Sequence, residues 1–147
     1  MRANELRIGN YVKANKLACN EKEGNTLTVC GIGLDVDLTN GTTQNYIGID
    51  GILLTKEWLL KFGFEKWGFG NQHKVENETY IRYVLYNVLD GTSNFEVHYI
   101  VSDDKKYNQY IISCDEDERV NWGADILHVH QLQNLYFALT NQELTIN

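Results

Sequence analysis

The residues best suited to chemistry lie in an extended segment in the middle of the chain. Glu96 and His98 stand two positions apart in NFEVHYIVS, and this spacing puts both side chains on one face of a strand. A carboxylate beside an imidazole can serve as an acid–base pair or clamp a ligand. The same two residues can equally form a polar cross-strand contact on a solvated face, and the sequence leaves both interpretations open.

A guanidinium group lies among aromatic side chains in the segment before it. Arg82 interrupts TYIRYVLYNVL, where it could stack on rings or hold a phosphate. At a sheet edge it would instead extend to water. Trp122 follows an acidic loop and could close over a bound ring or pack beneath a helix. We predict a non-catalytic, metal-free ligand site formed by Arg82, Tyr83, Tyr86, Glu96, His98 and Trp122.

Two other segments could hold a metal ion, and neither is favoured. His128 and His130 lie two residues apart in a predicted helix, so their side chains point about 200° apart and cannot chelate one ion. We expect His130 to be buried and hydrogen-bonded to Gln133 or Asn134. The segment 35–41, DVDLTNG, resembles a calcium loop, but its glycine falls one position late and the closing glutamate is missing.

No sequence motif for a common catalytic or cofactor chemistry is present. The patterns GxSxG, HExxH and GxxxxGK[ST] are absent, and Gly31 and Gly33 lack the third glycine of a dinucleotide loop. We therefore predict no cofactor and favour a protein that is not an enzyme. A small hydrolase using His98 and Glu96 remains an alternative.

Alternating apolar residues, turn residues and helix caps predict an α+β fold built on antiparallel strands. Both faces of the strand 79–89 are apolar, so we expect both to be covered, by the C-terminal helix and the N-terminal strands or by a second copy in a homo-oligomer. We predict one compact domain, residues 1–147. Its predicted elements are a β subregion at 1–54 (strands near 6–14, 27–38 and 44–53), a short helix at 55–63, a three-stranded meander at 79–114 and an amphipathic helix at 125–140.

Composition narrows the class of protein. The chain has 147 residues, of which 43% are hydrophobic, and this supports a folded core. Its net charge of −7 makes binding to a nucleic-acid polymer unexpected. Three widely spaced cysteines without a CxxC pair indicate a reducing cytosol. No signal sequence and no apolar run long enough to cross a membrane are visible.

Three stretches of the chain resemble a family of uncharacterised phage and prophage proteins of Bacteroidetes bacteria. They are NELRIGN at 4–10, LT followed by EWLLKFGFEK at 54–66, and VHQLQNLYFALT at 129–140. The resemblance covers about a fifth of the chain and carries no known reaction. It implies a phage protein acting in the host cytosol.

Three functions are consistent with these observations. The first is a phage accessory protein that binds a small anionic, nucleotide-type ligand and so counters host immune signalling. The second is an inhibitor or adaptor that binds a host defence protein through an aromatic surface. The third is the hydrolase.

Overall fold

The computed structural model describes residues 1–67, 73–75, 78–89, 93–102, 108–113 and 126–146. The chain divides into two compact units, the first formed by Met1–Leu54 with His128–Thr145 and the second by Thr55–Leu127 with Ile146–Asn147. Each sheet is antiparallel, and two α-helices and a short 3₁₀ helix (Ala3–Glu5) accompany the sheets in the described part of the chain. The predicted α+β class is therefore confirmed, whereas the prediction of a single domain stays a prediction.

The first unit contains a sheet of five short strands around an apolar core. The strands are β1 (Tyr11–Ala14), β2 (Thr26–Ile32), β3 (Val36–Leu38), β4 (Thr43–Gln44) and β5 (Ile49–Gly51). Their order in the sheet is β4-β3-β2-β1-β5. The core consists of inward-facing residues of β1, β2, β3 and β5 together with Leu6.

The predicted strand at 27–38 is wrong, because this segment folds back on itself as the β2–β3 hairpin. The reversal contains Leu34, which is 99% exposed, so the apolar run is not continuous core. A Cβ atom on Gly31 would lie 2.7 Å from Oδ2 of Asp37, which explains a glycine at that position. Gly33 has no such neighbour.

The C-terminal helix, α2 (Val129–Thr140), also belongs to the first unit and starts four residues later than predicted. His128 has extended backbone angles and forms a bridge with Leu53, while the Val129 N–H donates to the Ile52 carbonyl. These backbone bonds hold the chain extended up to the first helical residue. Asn141 ends the helix in the left-handed conformation (φ 55°), which asparagine tolerates better than most residues.

Two side-chain amides of α2 hold the N-terminal loop in place. Gln133 is buried; its Oε1 accepts the Tyr11 N–H and its Nε2 donates to the Gly9 carbonyl. Asn134, next to it, bonds to the side chain of Asn10 in the same loop. Two of the three stretches that carry the family resemblance therefore meet here, and these contacts give them a structural role.

The second unit contains α1 (Lys56–Lys61) and the predicted meander. Its strands are β6 (Glu65–Lys66), β7 (His73–Val75), β8 (Glu78–Leu89), β9 (Ser93–Ser102) and β10 (Asn108–Ser113). The order is β10-β9-β8-β6, and β7 also pairs with β8. Gly63 follows α1 with φ +86°, the left-handed conformation in which glycine commonly ends a helix.

β8 carries buried residues on both faces, whereas the predicted cover by the C-terminal helix and the N-terminal strands or by a second copy stays a prediction. Ile81 and Tyr83 are buried on the face that they share with Val97, and Val84 is buried on the opposite face. In the part of the chain that the structure describes, no helix has the length and apolar character to cross a bilayer.

Candidate functional site

The pairing of β8 with β9 brings three of the predicted site residues together. Arg82 lies directly opposite His98, and Val84 lies opposite Glu96. Opposed residues share a face of an antiparallel pair, and so do residues two apart along a strand. Arg82, Glu96 and His98 therefore occupy one face of the sheet.

Glu96 joins the other two side chains. Arg82 donates from Nη2 to Oε1 of Glu96 in a salt bridge, and Nε2 of His98 lies 3.2 Å from Oε2 of Glu96. The Glu96 side chain is 3% exposed, whereas those of Arg82 and His98 are 21% and 27% exposed. The buried carboxylate thus positions two groups that reach solvent. Arg82 lies between two neighbouring strands, so its placement at a sheet edge is excluded.

The Glu96 carboxyl remains ionised in this environment. Burial alone raises its pKa because a buried charge loses hydration. The hydrogen bonds from His98 and Arg82, together with the charges of these partners, outweigh burial, and the pKa is lowered from its ordinary value. At neutral pH, Glu96 therefore acts only as a hydrogen-bond acceptor.

Trp67 completes the cluster, and the sequence did not indicate it. Its backbone N–H donates to the Arg82 carbonyl at 2.9 Å, and the Arg82 guanidinium carbon lies 4.5 Å from the centre of its ring. The ring is 39% exposed. The alternation of polar and apolar residues after Glu65 was the available signal in the sequence for a strand at this position. A strand of two residues, however, does not show which strand it will pair with. We call Trp67, Arg82, Glu96 and His98 the Arg82 cluster.

The remaining predicted residues do not join this cluster within the described chain. Tyr83 is buried on the opposite face, and burial is the main reason that its pKa is raised. Tyr86 lies four residues beyond Arg82 and past the break in the β8–β9 register, with about half of its surface exposed. Trp122 lies outside the described residues.

The hydrogen bond to Glu96 determines what His98 can offer. Among the described residues, Glu96 is the one hydrogen-bonding partner of the His98 ring. An ionised carboxylate accepts a hydrogen bond from Nε2–H, so the tautomer that suits this contact carries its proton on Nε2 and leaves Nδ1 as an acceptor. The Arg82 cluster thus combines a fixed cation, a ring face and an imidazole that can accept a hydrogen bond at Nδ1.

The two histidines of the C-terminal segment form a stacked pair instead of projecting from opposite sides of a helix. Their ring centres are 5.5 Å apart with an interplanar angle of 25°, because His128 precedes the helix in extended conformation. Among the described residues, no group of three or more His, Cys, Asp or Glu side chains is arranged to hold a metal ion.

The expected hydrogen bond from His130 to Gln133 or Asn134 is wrong. His130 is 4% exposed, and within the described chain its enclosed Nδ1 has no hydrogen-bond partner. Both amides bond to the N-terminal loop instead. Burial first, and then the nearby His128, lowers the pKa of His130 to about 4, so this ring is neutral at pH 7.

The segment that resembles a calcium loop is part of the β2–β3–β4 hairpins. Oδ1 of Asp37 accepts a hydrogen bond from Oγ1 of Thr43 at 2.8 Å, and the same carboxylate packs against Gly31. These contacts account for the position of Asp37 as a cross-strand polar contact.

No protein-family model matches this chain, and neither a curated protein nor a solved structure does. The geometry of the Arg82 cluster therefore carries the functional argument.

Proposed function

We propose that this protein is a non-catalytic binding protein whose Arg82 cluster takes a small ligand with a planar ring and an acidic group, as in a nucleotide. The observation that carries the proposal is the position of the Arg82 guanidinium, stacked on the half-exposed Trp67 and bonded to the buried Glu96. The nucleotide-type ligand is the one expected from the sequence, now assigned to a defined set of side chains.

The cluster is organised in advance of binding. A free arginine side chain samples many rotamers, and ordering it on binding costs about 0.5–1.5 kcal/mol. Trp67 on one side and Glu96 on the other already restrict Arg82. The guanidinium can therefore meet an acidic group without that cost.

The chemistry of the three solvent-reaching groups defines the ligand class. Trp67 offers an aromatic face on which a flat heterocycle can stack. Arg82 supplies a permanent positive charge with planar donors that suit phosphate or carboxylate. Nδ1 of His98 can accept an N–H from the heterocycle. A purine or pyrimidine nucleotide has all three complementary features.

The resemblance to phage and prophage proteins supports a biological setting for this binding. A phage protein that removes a nucleotide signal from the host cytosol would blunt an immune response without catalysing a reaction. An inhibitor acting directly on a host defence protein remains the alternative, and it predicts that no nucleotide binds.

The test is calorimetric titration of the full chain with mononucleotides, dinucleotides and cyclic dinucleotides. Arg82→Lys keeps the charge but loses the planar fork, and Trp67→Ala removes the ring. We expect each substitution to weaken binding about tenfold or more, since stacking on an aromatic side chain contributes about 1–3 kcal/mol per base.

Arg7→Lys is the matched control, because Arg7 also stacks on a ring and pairs with a glutamate in the first unit. It should leave nucleotide affinity unchanged. An absence of binding by the parent protein, or equal losses in the Arg7 and Arg82 variants, would overturn the proposal.

The contact between Glu96 and His98 also favours a second candidate, a small hydrolase. In that reaction His98 would take a proton from water at Nδ1 while Glu96 accepts the hydrogen bond from Nε2–H, and the resulting hydroxide would attack an electrophilic phosphorus or carbonyl carbon. The bond to the ester oxygen would break, and that oxygen would leave with the proton held by His98. Turnover of a nucleotide that is abolished by His98→Ala, with binding retained, would establish this candidate. Stable, unconverted ligand in the complex would exclude it.

A further inference from the structure

The turn between β3 and β4 contains the one asparagine–glycine pair of the sequence, Asn40 and Gly41. Asparagine before glycine is especially prone to deamidation, because no side chain on the second residue hinders attack by its backbone nitrogen. Gly41 has φ +83°, and an added Cβ atom there would meet nothing within 4 Å. Both residues are exposed. The turn is therefore accessible to the water that the reaction consumes.

The reaction needs a free Gly41 nitrogen and a mobile Asn40 side chain. The Gly41 nitrogen gives up its proton and forms a bond to Cγ of Asn40, while the bond from Cγ to Nδ2 breaks. Nδ2 leaves with that proton as ammonia, and the product is a cyclic succinimide. Water then opens the ring at either carbonyl carbon and leaves aspartate or isoaspartate at position 40.

The folded turn restrains both reacting groups. The Gly41 N–H donates to the Leu38 carbonyl at 2.9 Å, which closes a β-turn and keeps the attacking nitrogen hydrogen-bonded. Oδ1 of Asn40 accepts from the Thr42 N–H at 3.2 Å and from Oγ1 of Thr42 at 2.9 Å. Nδ2 of Asn40 donates to Oε1 of Glu21. Bonds to both heteroatoms of the amide therefore fix its Cγ, and the turn has to open before Cγ meets the Gly41 nitrogen.

Glu21 connects this turn to the loop between β1 and β2. Its Oε1 also accepts from Oγ1 of Thr42 at 3.1 Å, and its Oε2 accepts from Nδ2 of Asn25 at 3.3 Å. The bonds from Asn25 and then Asn40 lower the pKa of Glu21, so its carboxylate is ionised at neutral pH. Deamidation replaces the donor Nδ2 with a second negative charge beside this carboxylate. Because like charges repel, the loop then loses its attachment to the turn.

We propose that Asn40 is a deamidation site that the folded first unit suppresses and that local opening of the β3–β4 turn releases. The modification is irreversible, because ammonia leaves and the new carboxylate has no N–H to donate to Glu21. It therefore marks chains whose turn has opened, and it holds the β1–β2 loop away from the turn afterwards. This inference does not depend on the ligand proposed above.

The first test is a time course of deamidation in the full chain at mildly alkaline pH, followed by peptide mapping with mass spectrometry. We expect Asn40 to react slowly in the folded protein and about tenfold faster or more in urea, where the turn is open. Asn45 is the internal control, because its Oδ1 also accepts two backbone N–H groups but Tyr46 follows it. Equal rates for Asn40 in folded and unfolded chains, or no preference for Asn40 over Asn45 in urea, would overturn the proposal.

Glu21→Ala and Thr42→Val test whether these contacts restrain the amide or activate it, since donors to Oδ1 also polarise the carbonyl group. Restraint predicts that each folded variant reacts about fivefold faster than the parent protein, the factor expected for one lost hydrogen bond. Glu23→Ala, at an exposed position of the same loop, should keep the parent rate. A slower or unchanged rate in either variant, with the fold retained by circular dichroism, would contradict suppression by these contacts.

Asn40→Asp reproduces the aspartate product and measures its effect on the first unit. We expect its urea midpoint to fall, because the variant loses the bond to Glu21 and gains a repulsive charge. Asn45→Asp is the matched control, since that side chain serves its two backbone partners as an acceptor and a carboxylate keeps this role. A midpoint for Asn40→Asp equal to that of the control would refute the link between modification and release of the loop.

Discussion

The two units each contain an arginine that stacks on an aromatic ring and pairs with a glutamate. In the first unit, the guanidinium carbon of Arg7 lies 3.3 Å from the centre of the Phe137 ring, and Nη2 of Arg7 lies 3.1 Å from Oε1 of Glu143. We call these three residues the Arg7 cluster. In the second unit, Arg82 makes the corresponding contacts with Trp67 and Glu96. The combination of an arginine, an aromatic ring and a glutamate therefore occurs once in each unit.

The two clusters differ in the burial of the carboxylate and in the chain that they connect. Glu143 is 40% exposed and lies 136 residues from Arg7, so this pair ties the two ends of the first unit together. Glu96 is 3% exposed and lies on the strand next to Arg82, where it also positions His98. An arginine–ring–carboxylate trio therefore becomes a candidate site when its carboxylate is buried and holds a second polar group at the surface.

The largest effect is expected from Glu96→Gln, which removes the buried charge of the Arg82 cluster. Removal of one partner leaves the Arg82 charge uncompensated, so the free energy of unfolding should fall by about 3 kcal/mol. Urea denaturation measures this loss. Glu65, on the neighbouring strand β6, is exposed, so Glu65→Gln should lower the free energy of unfolding only slightly. A loss no larger for Glu96 than for Glu65 would mean that the pair behaves as a surface contact.

Lowering the pH should reduce the stability of the first unit before that of the second. The pKa of His130 is lowered to about 4 from an ordinary value of 6.5, so the unfolded chain binds the proton first. Stability is fully present above pH 6.5 and is lost as the pH falls towards 4, by up to about 3 kcal/mol. For Glu96, whose pKa is lowered, the loss begins only below about 4.5.

Denaturation measured at several pH values, with the parent protein and His130→Leu, checks this order. The variant should lose the pH dependence between 6.5 and 4 and keep the one below 4.5. A parent protein whose stability is constant from pH 7 to 5 would contradict the assignment to His130.

Gly51→Ala should disrupt the packing of the histidine pair in the first unit. An added Cβ atom would lie 2.6 Å from Cδ2 of His128 and 2.9 Å from Cε1 of His130. Overpacking of this kind costs about 1–3 kcal/mol. Gly33→Ala is the matched control, since the nearest atom to an added Cβ there is the Asp35 carbonyl oxygen at 3.9 Å, an ordinary van der Waals contact. Thermal unfolding should show a clear loss for the first variant and almost none for the second.

The smallest effect is expected from Glu143→Gln in the Arg7 cluster. Its carboxylate is largely hydrated, and exposed ion pairs contribute about 0–1 kcal/mol. The same denaturation assay should therefore give a loss well below that of Glu96→Gln. Equal losses would remove the distinction between the two clusters.

Much of the fold followed from local signals in the sequence. Alternation predicted the outer limits of the three-stranded meander, 79–114, to within a residue of the start of β8 and the end of β10. The spacing of Glu96 and His98 placed both on one face, as observed. The hairpin within 27–38 was missed because an apolar run with two glycines also suits one strand, and only the packing of Asp37 against Gly31 distinguishes the two.

The sequence by itself determined properties that are set within a few residues. These are the faces of the strands, the helix caps, the absence of common catalytic motifs and the closeness of Glu96 to His98. Tertiary structure decided which strands became neighbours. That decision brought Trp67 to Arg82, separated Tyr83 from the cluster and buried Glu96. It also enclosed Nδ1 of His130 with no hydrogen-bond partner among the described residues. The physical reason is that burial and long-range pairing depend on the packing of distant segments, whereas periodicity and capping depend on adjacent residues.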